Sequence, residues 1–217
     1  MSEFYRGDHQ GDAYMATEKT RLTPEIDRAV AELLRTNAKV FLATAGAGAG
    51  ITQLIWRTPG ISRLLIGSVF PYHREEFKLF IGDQEFKGPY VSKDASVALA
   101  LAAYKRAKTA EGSSSDLQIG VGLTAAVSTP SGNTNENKIF AAIRTREKLT
   151  AASVTMEKGY LSRIGEGEIS DLIALNMLLW AVGVKQVALP DVHLISQDIR
   201  RQDSWFILEP TRQSIQS

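Results

Sequence analysis

Apolar residues recur at helical spacing from Ile26 through Val30, Leu33 and Leu34, which share one helix face. Thr23-Pro24-Glu25 precedes that stripe, with Thr23 as the expected N-cap and proline at the first helical position; the helix is expected to end near Asn37. The period then changes. Residues 39–45 are almost continuously apolar, as in a strand covered on both faces. A short helix over 51–57 and a strand over 63–70 follow, then a second short helix that starts within 71–77 and is stopped by Gly82. Ser92 caps a long helix reaching about Lys108, with Ala95, Leu99, Ala102 and Ala103 on one face and Asp94 at its positive end. Strands are expected at 117–123, 138–144 and 151–156, and a helix from about 166 to 182 with a stripe of Ile169, Leu172, Ile173, Asn176, Leu179 and Trp180. Two strand-like pieces, 186–189 and 204–208, follow it.

Early strands separated by helices and later strands joined by short loops predict an α/β fold, a three-layer α/β/α sandwich on a mixed sheet. Residues 1–22 lack periodicity and read as a flexible N-terminal arm, with Phe4, Tyr5 and Tyr14 available to dock on a neighbour. The α/β domain is expected over 23–183, and 184–217 is expected to be a C-terminal extension.

Composition narrows the function. With 217 residues and 44% apolar content the chain can build a full core. Its 25 basic and 24 acidic residues are spread along the chain, so neither a nucleic-acid nor a membrane partner is expected. It contains no cysteine, which excludes disulfides, thiolate metal sites and a cysteine nucleophile. No apolar run approaches a membrane span or an export signal, and a cytoplasmic location is expected. His9, His73 and His193 lie far apart in sequence, so no metal and no cofactor is expected; a helix cap is the simplest role for His73.

The candidate chemistry sits after the first strand, in Thr44-Ala45-Gly46-Ala47-Gly48-Ala49-Gly50. Glycines here fit neither the dinucleotide nor the P-loop spacing. Two readings remain: backbone N–H groups that hold an oxyanion or phosphate, or small residues that let helix and sheet approach closely. Tyr72 follows the second strand, on the side where open α/β sheets bind ligands. Thr124 ends the third, and Ser128, Lys138 and Arg144 follow in or beyond a long polar loop over 128–137. Hydroxyls, amides and cations in that order suit a small phosphorylated or nucleotide ligand, or simply a polar loop.

These landmarks resemble the C-terminal domain of the competence-damage-inducible (CinA) family, whose stand-alone members are nicotinamide mononucleotide amidohydrolases. The matching segments are Pro59-Gly60-Ile61-Ser62, Gly67-Ser68-Val69-Phe70-Pro71-Tyr72, Val91-Ser92, and Leu123-Thr124 through Ser128-Thr129-Pro130, over roughly 24–183. The resemblance implies a serine nucleophile in a Glu-Ser-x-Thr-x-Gly turn after the first strand, assisted by a lysine five residues beyond the tyrosine. Counted without gaps, the serine falls on Ala45, or on Ala47 from the strand end, and the lysine on Phe77, with Lys78 one place late. The expectation is a CinA-like domain with impaired serine-based deamidation that binds its ligand around Gly46, Ala47, Gly48, Gly50, Tyr72, Thr124, Ser128, Lys138 and Arg144. The alternative is an active amidohydrolase with a rearranged set drawn from Thr44, Tyr72, Lys78 and Thr124. A homo-oligomer, with a dimer favoured, accompanies either reading.

Overall fold

Alternation along the strands sets the layers. In β1 (Ala38–Ala45), Val40 and Leu42 enter one core while Phe41, Ala43 and Ala45 pack on the other face. The computed structural model describes residues 10–111, 117–129 and 136–190. Within them β1 pairs in parallel with β2 (Leu65–Val69) and with β3 (Leu117–Ala126), and β4 (Asn137–Arg144) and β5 (Leu149–Met156) extend the sheet antiparallel, in the order β2-β1-β3-β4-β5. Helices α1 (Gln10–Leu33), α2 (Ile51–Trp56) and α5 (Arg163–Ala181) cover one face. Helices α3 (Arg74–Ile81) and α4 (Lys93–Glu111) cover the other. The expected α/β sandwich on a mixed sheet is what forms.

The α4 face is built from small residues. β3 alternates Ile119, Val121 and Leu123 towards α5 with Gly120 and Gly122 towards α4. A Cβ on Gly122 would overlap the backbone of Ser96 and Ala100, so the alanine-rich helix lies directly on the strand. The starts of both helices on this face follow local rules. Ser92 Oγ accepts the Ala95 N–H at the start of α4, and His73 Nδ1 accepts the Glu75 N–H at the start of α3.

Several elements depart from the sequence reading. α1 begins at Gln10 and runs through Pro24, instead of starting at Thr23. Met15 and Leu22 are buried in the core, and Asp12 Oδ1 accepts the Ser162 N–H, so tertiary contacts hold the earlier turns although the proline donates no backbone bond. β2 begins at Leu65, because Ile61–Arg63 forms a single 3₁₀ turn after left-handed Gly60. α5 begins at Arg163, capped by the Ser162 hydroxyl. Residues 186–189 form no strand; Val187 is held by α5 instead. Among the described residues no helix is long and apolar enough to cross a membrane. Phe4, Tyr5, His9, His193 and the piece 204–208 lie outside the described residues, as do 130–135 of the long loop.

Candidate functional site

The glycine turn is fixed by what surrounds it. Ala45 pairs with Thr124 and Thr44 with Leu123 at the parallel edge of β1 and β3. Gly46 has φ of +84°, and a Cβ there would overlap the Ala125 carbonyl, so the turn backs straight onto β3. Ala47 is buried in the core on the α5 side. Thr44, one residue before Ala45, is buried on the face opposite to it. The start of α2 is occupied: Asp171 of α5 places Oδ1 3.1 Å from the Ile51 nitrogen and accepts its N–H. A Cβ on Gly50 would overlap the other oxygen of that carboxylate. The glycines therefore let a strand, a helix start and a carboxylate from the same chain converge.

A second carboxylate meets the loop after β3. Glu166, in the first turn of α5 and fully buried, accepts the Ser128 N–H at 2.6 Å, the Ser128 hydroxyl at 2.9 Å and the Asn137 side-chain amide at 2.6 Å. Asn137 Nδ2 also lies 3.1 Å from Ser128 Oγ, and Arg163 donates to the Ser128 carbonyl at 3.1 Å. Burial pushes the Glu166 carboxyl above the usual carboxylate range, opposed in turn by the Ser128 amide, the Ser128 hydroxyl, Asn137 and the charge of Arg163. Ser128 is thus a partner of this carboxylate.

The other expected residues are dispersed. Thr124 is fully buried with its hydroxyl 3.3 Å from both the nitrogen and the carbonyl oxygen of Ser92. Tyr72 is 64% exposed and stacks on exposed Phe70, ring centres 5.6 Å apart. Lys78 pairs with Glu75 at 3.3 Å on the surface of α3. Its neighbour Phe77 is buried, packed on Phe86 and Tyr90 with centroid distances of 5.4 and 5.2 Å. Lys138 pairs across the ladder with Ala126, beside the end of β3, and bonds Glu136 at 2.5 Å. Arg144 pairs with Gly120, four residues back from Thr124, which puts it about 13 Å towards the opposite end of the strand. There its guanidinium lies 5.5 Å from the Tyr104 ring centre, with Nε and Nη1 buried and without a hydrogen-bond partner. The structure brings Ala45, Thr124, Ala126 and Lys138 to one edge and one face, and leaves Thr44, Lys78 and Arg144 outside it.

The sequence matches no protein-family model and no curated protein. Solved structures do match. A competence-damaged protein superfamily member from Enterobacter cloacae superposes with a TM-score of 0.58 at 12% identity, over 74% of this chain and 92% of its own. A competence or damage-inducible protein from Enterobacter asburiae gives 0.58 at 13%, over 74% and 98%. One from Agrobacterium tumefaciens gives 0.54 at 17%, over 74% and 94%. The fold is CinA-like.

Within this CinA-like fold the two residues missed by sequence reasoning are Glu166 and Asp171. Glu166 carried a signal: it lies at helical spacing with Ile169, Ile173 and Asn176, so a charge shares the core stripe and must meet donors there. Asp171 carried none, since its partner is 120 residues away. A cavity of about 450 Å³ also opens between α1, α2 and α5, with Gly50 and Asp171 in its wall. It lies behind the turn, on the sheet face opposite Thr124.

Proposed function

We propose that this chain is a CinA-like domain that binds a small phosphorylated or nucleotide ligand and does not perform serine-based amide hydrolysis. The observation that carries the loss of hydrolysis is the occupation of the helix start: Asp171 engages the Ile51 N–H, which is then not free to hold an oxyanion. Ala45 and Ala47, the counted serine positions, offer no hydroxyl, and Phe77, the counted lysine position, is buried among aromatic rings. Two features support the binding half: the stacked, exposed Phe70 and Tyr72 after β2, which suit a planar ring, and Lys138 beside the end of β3, which suits an anionic group.

The test has two parts. Incubation with nicotinamide mononucleotide is expected to release no ammonia above buffer; clear turnover abolished by Thr124→Ala would overturn the reading in favour of a rearranged hydrolase. A thermal-shift panel of nucleotides and sugar phosphates is expected to yield a stabilising ligand, by roughly 2.7 kcal/mol at 100 times its dissociation constant. That shift is expected to shrink in Tyr72→Ala. Silence across the panel removes the binding half.

A further inference from the structure

Beyond α5 the chain turns back along the helix that precedes it. Asn176, fully buried, holds both backbone groups of Val187: Oδ1 accepts the N–H at 2.8 Å and Nδ2 donates to the carbonyl at 2.7 Å. Gln186 Nε2 donates to the Asn176 carbonyl at 3.2 Å, and Val187 itself lies in the main core. Three residues later Pro190 forms part of the cavity wall beside Leu172, one turn earlier on α5 than Asn176. The chain therefore runs antiparallel to α5 and reaches the cavity where the described residues end.

That cavity is mostly apolar. Leu22 and Ile26 of α1, Leu54 and Trp56 of α2 and Leu172 of α5 line it, and Trp56 is 69% exposed. Its volume of about 450 Å³ accommodates a few large side chains. The polar wall carries two carboxylates, Glu168 and Asp171, while Arg57 is ion-paired with Asp27 at 2.7 Å.

We propose that this cavity is the docking site for the chain's own segment Ser204-Trp205-Phe206-Ile207-Leu208, in cis. Trp205 to Leu208 is the one run of four large apolar residues after Pro190, and it matches the apolar lining. The 14 residues from Pro190 to Ser204 span up to about 46 Å when extended, from a starting point already in the cavity wall. The segment after α5 is then part of the domain that contains the glycine turn, because Gly50 and Leu54 belong to the wall it covers.

The chain contains no cysteine, so cross-linking in the full-length protein is clean. Gln53→Cys, exposed at the cavity, combined with Ser204→Cys is compared with Lys105→Cys, exposed on α4 across the sheet, combined with Ser204→Cys. The cavity pair is expected to form an intrachain disulfide at least about tenfold faster, reflecting a higher effective concentration. Trp205→Ser is expected to bring that rate down towards the α4 pair. Equal rates overturn the proposal, and so do bridges that form mainly between chains, which assign the cavity to a second copy. A readout independent of cysteines is Trp205 emission in Trp56→Phe/Trp180→Phe. Blue-shifted emission shielded from acrylamide supports docking, and solvent-like emission overturns it.

Discussion

Two carboxylates five residues apart on α5 do similar work in different surroundings. Glu166 accepts a backbone N–H from the loop that leaves β3, and Asp171 accepts one from the first residue of α2, after the turn that leaves β1. Five residues separate them by about 140° around the helix, so one points into the core and the other towards α2 and the cavity. Glu166 is sealed in with a second amide and a hydroxyl; Asp171 is half-buried with cavity on one side. Both places where the sequence suggested an anion from outside already face a carboxyl group of the chain itself. A helix that merely covers the sheet in outline also fastens both strand ends.

The largest expected effect breaks the buried member. Glu166→Ala leaves the Ser128 N–H, the Ser128 hydroxyl and the Asn137 amide without this acceptor, and a loss of about 3 kcal/mol is expected, read as a lower urea midpoint at unchanged slope. Asp171→Ala removes one capping acceptor at a wetter site and is expected to cost about 1 kcal/mol by the same measurement. A loss as large as that of Glu166→Ala would erase the distinction between the two positions.

The buried carboxyl also makes stability depend on pH. Burial raises the Glu166 carboxyl in the fold, so the folded state keeps this proton at pH values where the unfolded chain, near about 4.3, has released it. The contribution is fully present below the unfolded value and is lost as pH rises through the folded one. The stability of the wild type relative to Glu166→Gln is therefore expected to fall as pH rises above about 4.3, read from urea midpoints across that range. A rise over that range would reverse the sign and contradict burial as the dominant cause.

Most elements were legible because their signals are local. The apolar run of β1, the small-residue face of α4, the Ser92 cap and the Gly82 stop each depend on residues within a turn or two. The start of α1 was not legible: Thr23-Pro24 is a sound local start, yet burial of Met15 and Leu22 overrides it. Of the candidate residues, the strand register puts Ala45 beside Thr124 and Lys138 beside Ala126, and their partners were not legible: Thr124 is committed to Ser92, Ser128 to Glu166 and the helix start to Asp171.

By itself the sequence determined the class of fold, the position of the glycine turn and the absence of a hydroxyl at Ala45 and Ala47, because periodicity and residue identity are properties of neighbours along the chain. What that turn faces is set by packing between elements far apart in the chain. Asp171 and Ile51, 120 residues apart, meet because α5 packs against α2, and a backbone donor that pairs with a carboxylate of its own chain is no longer free for a ligand's.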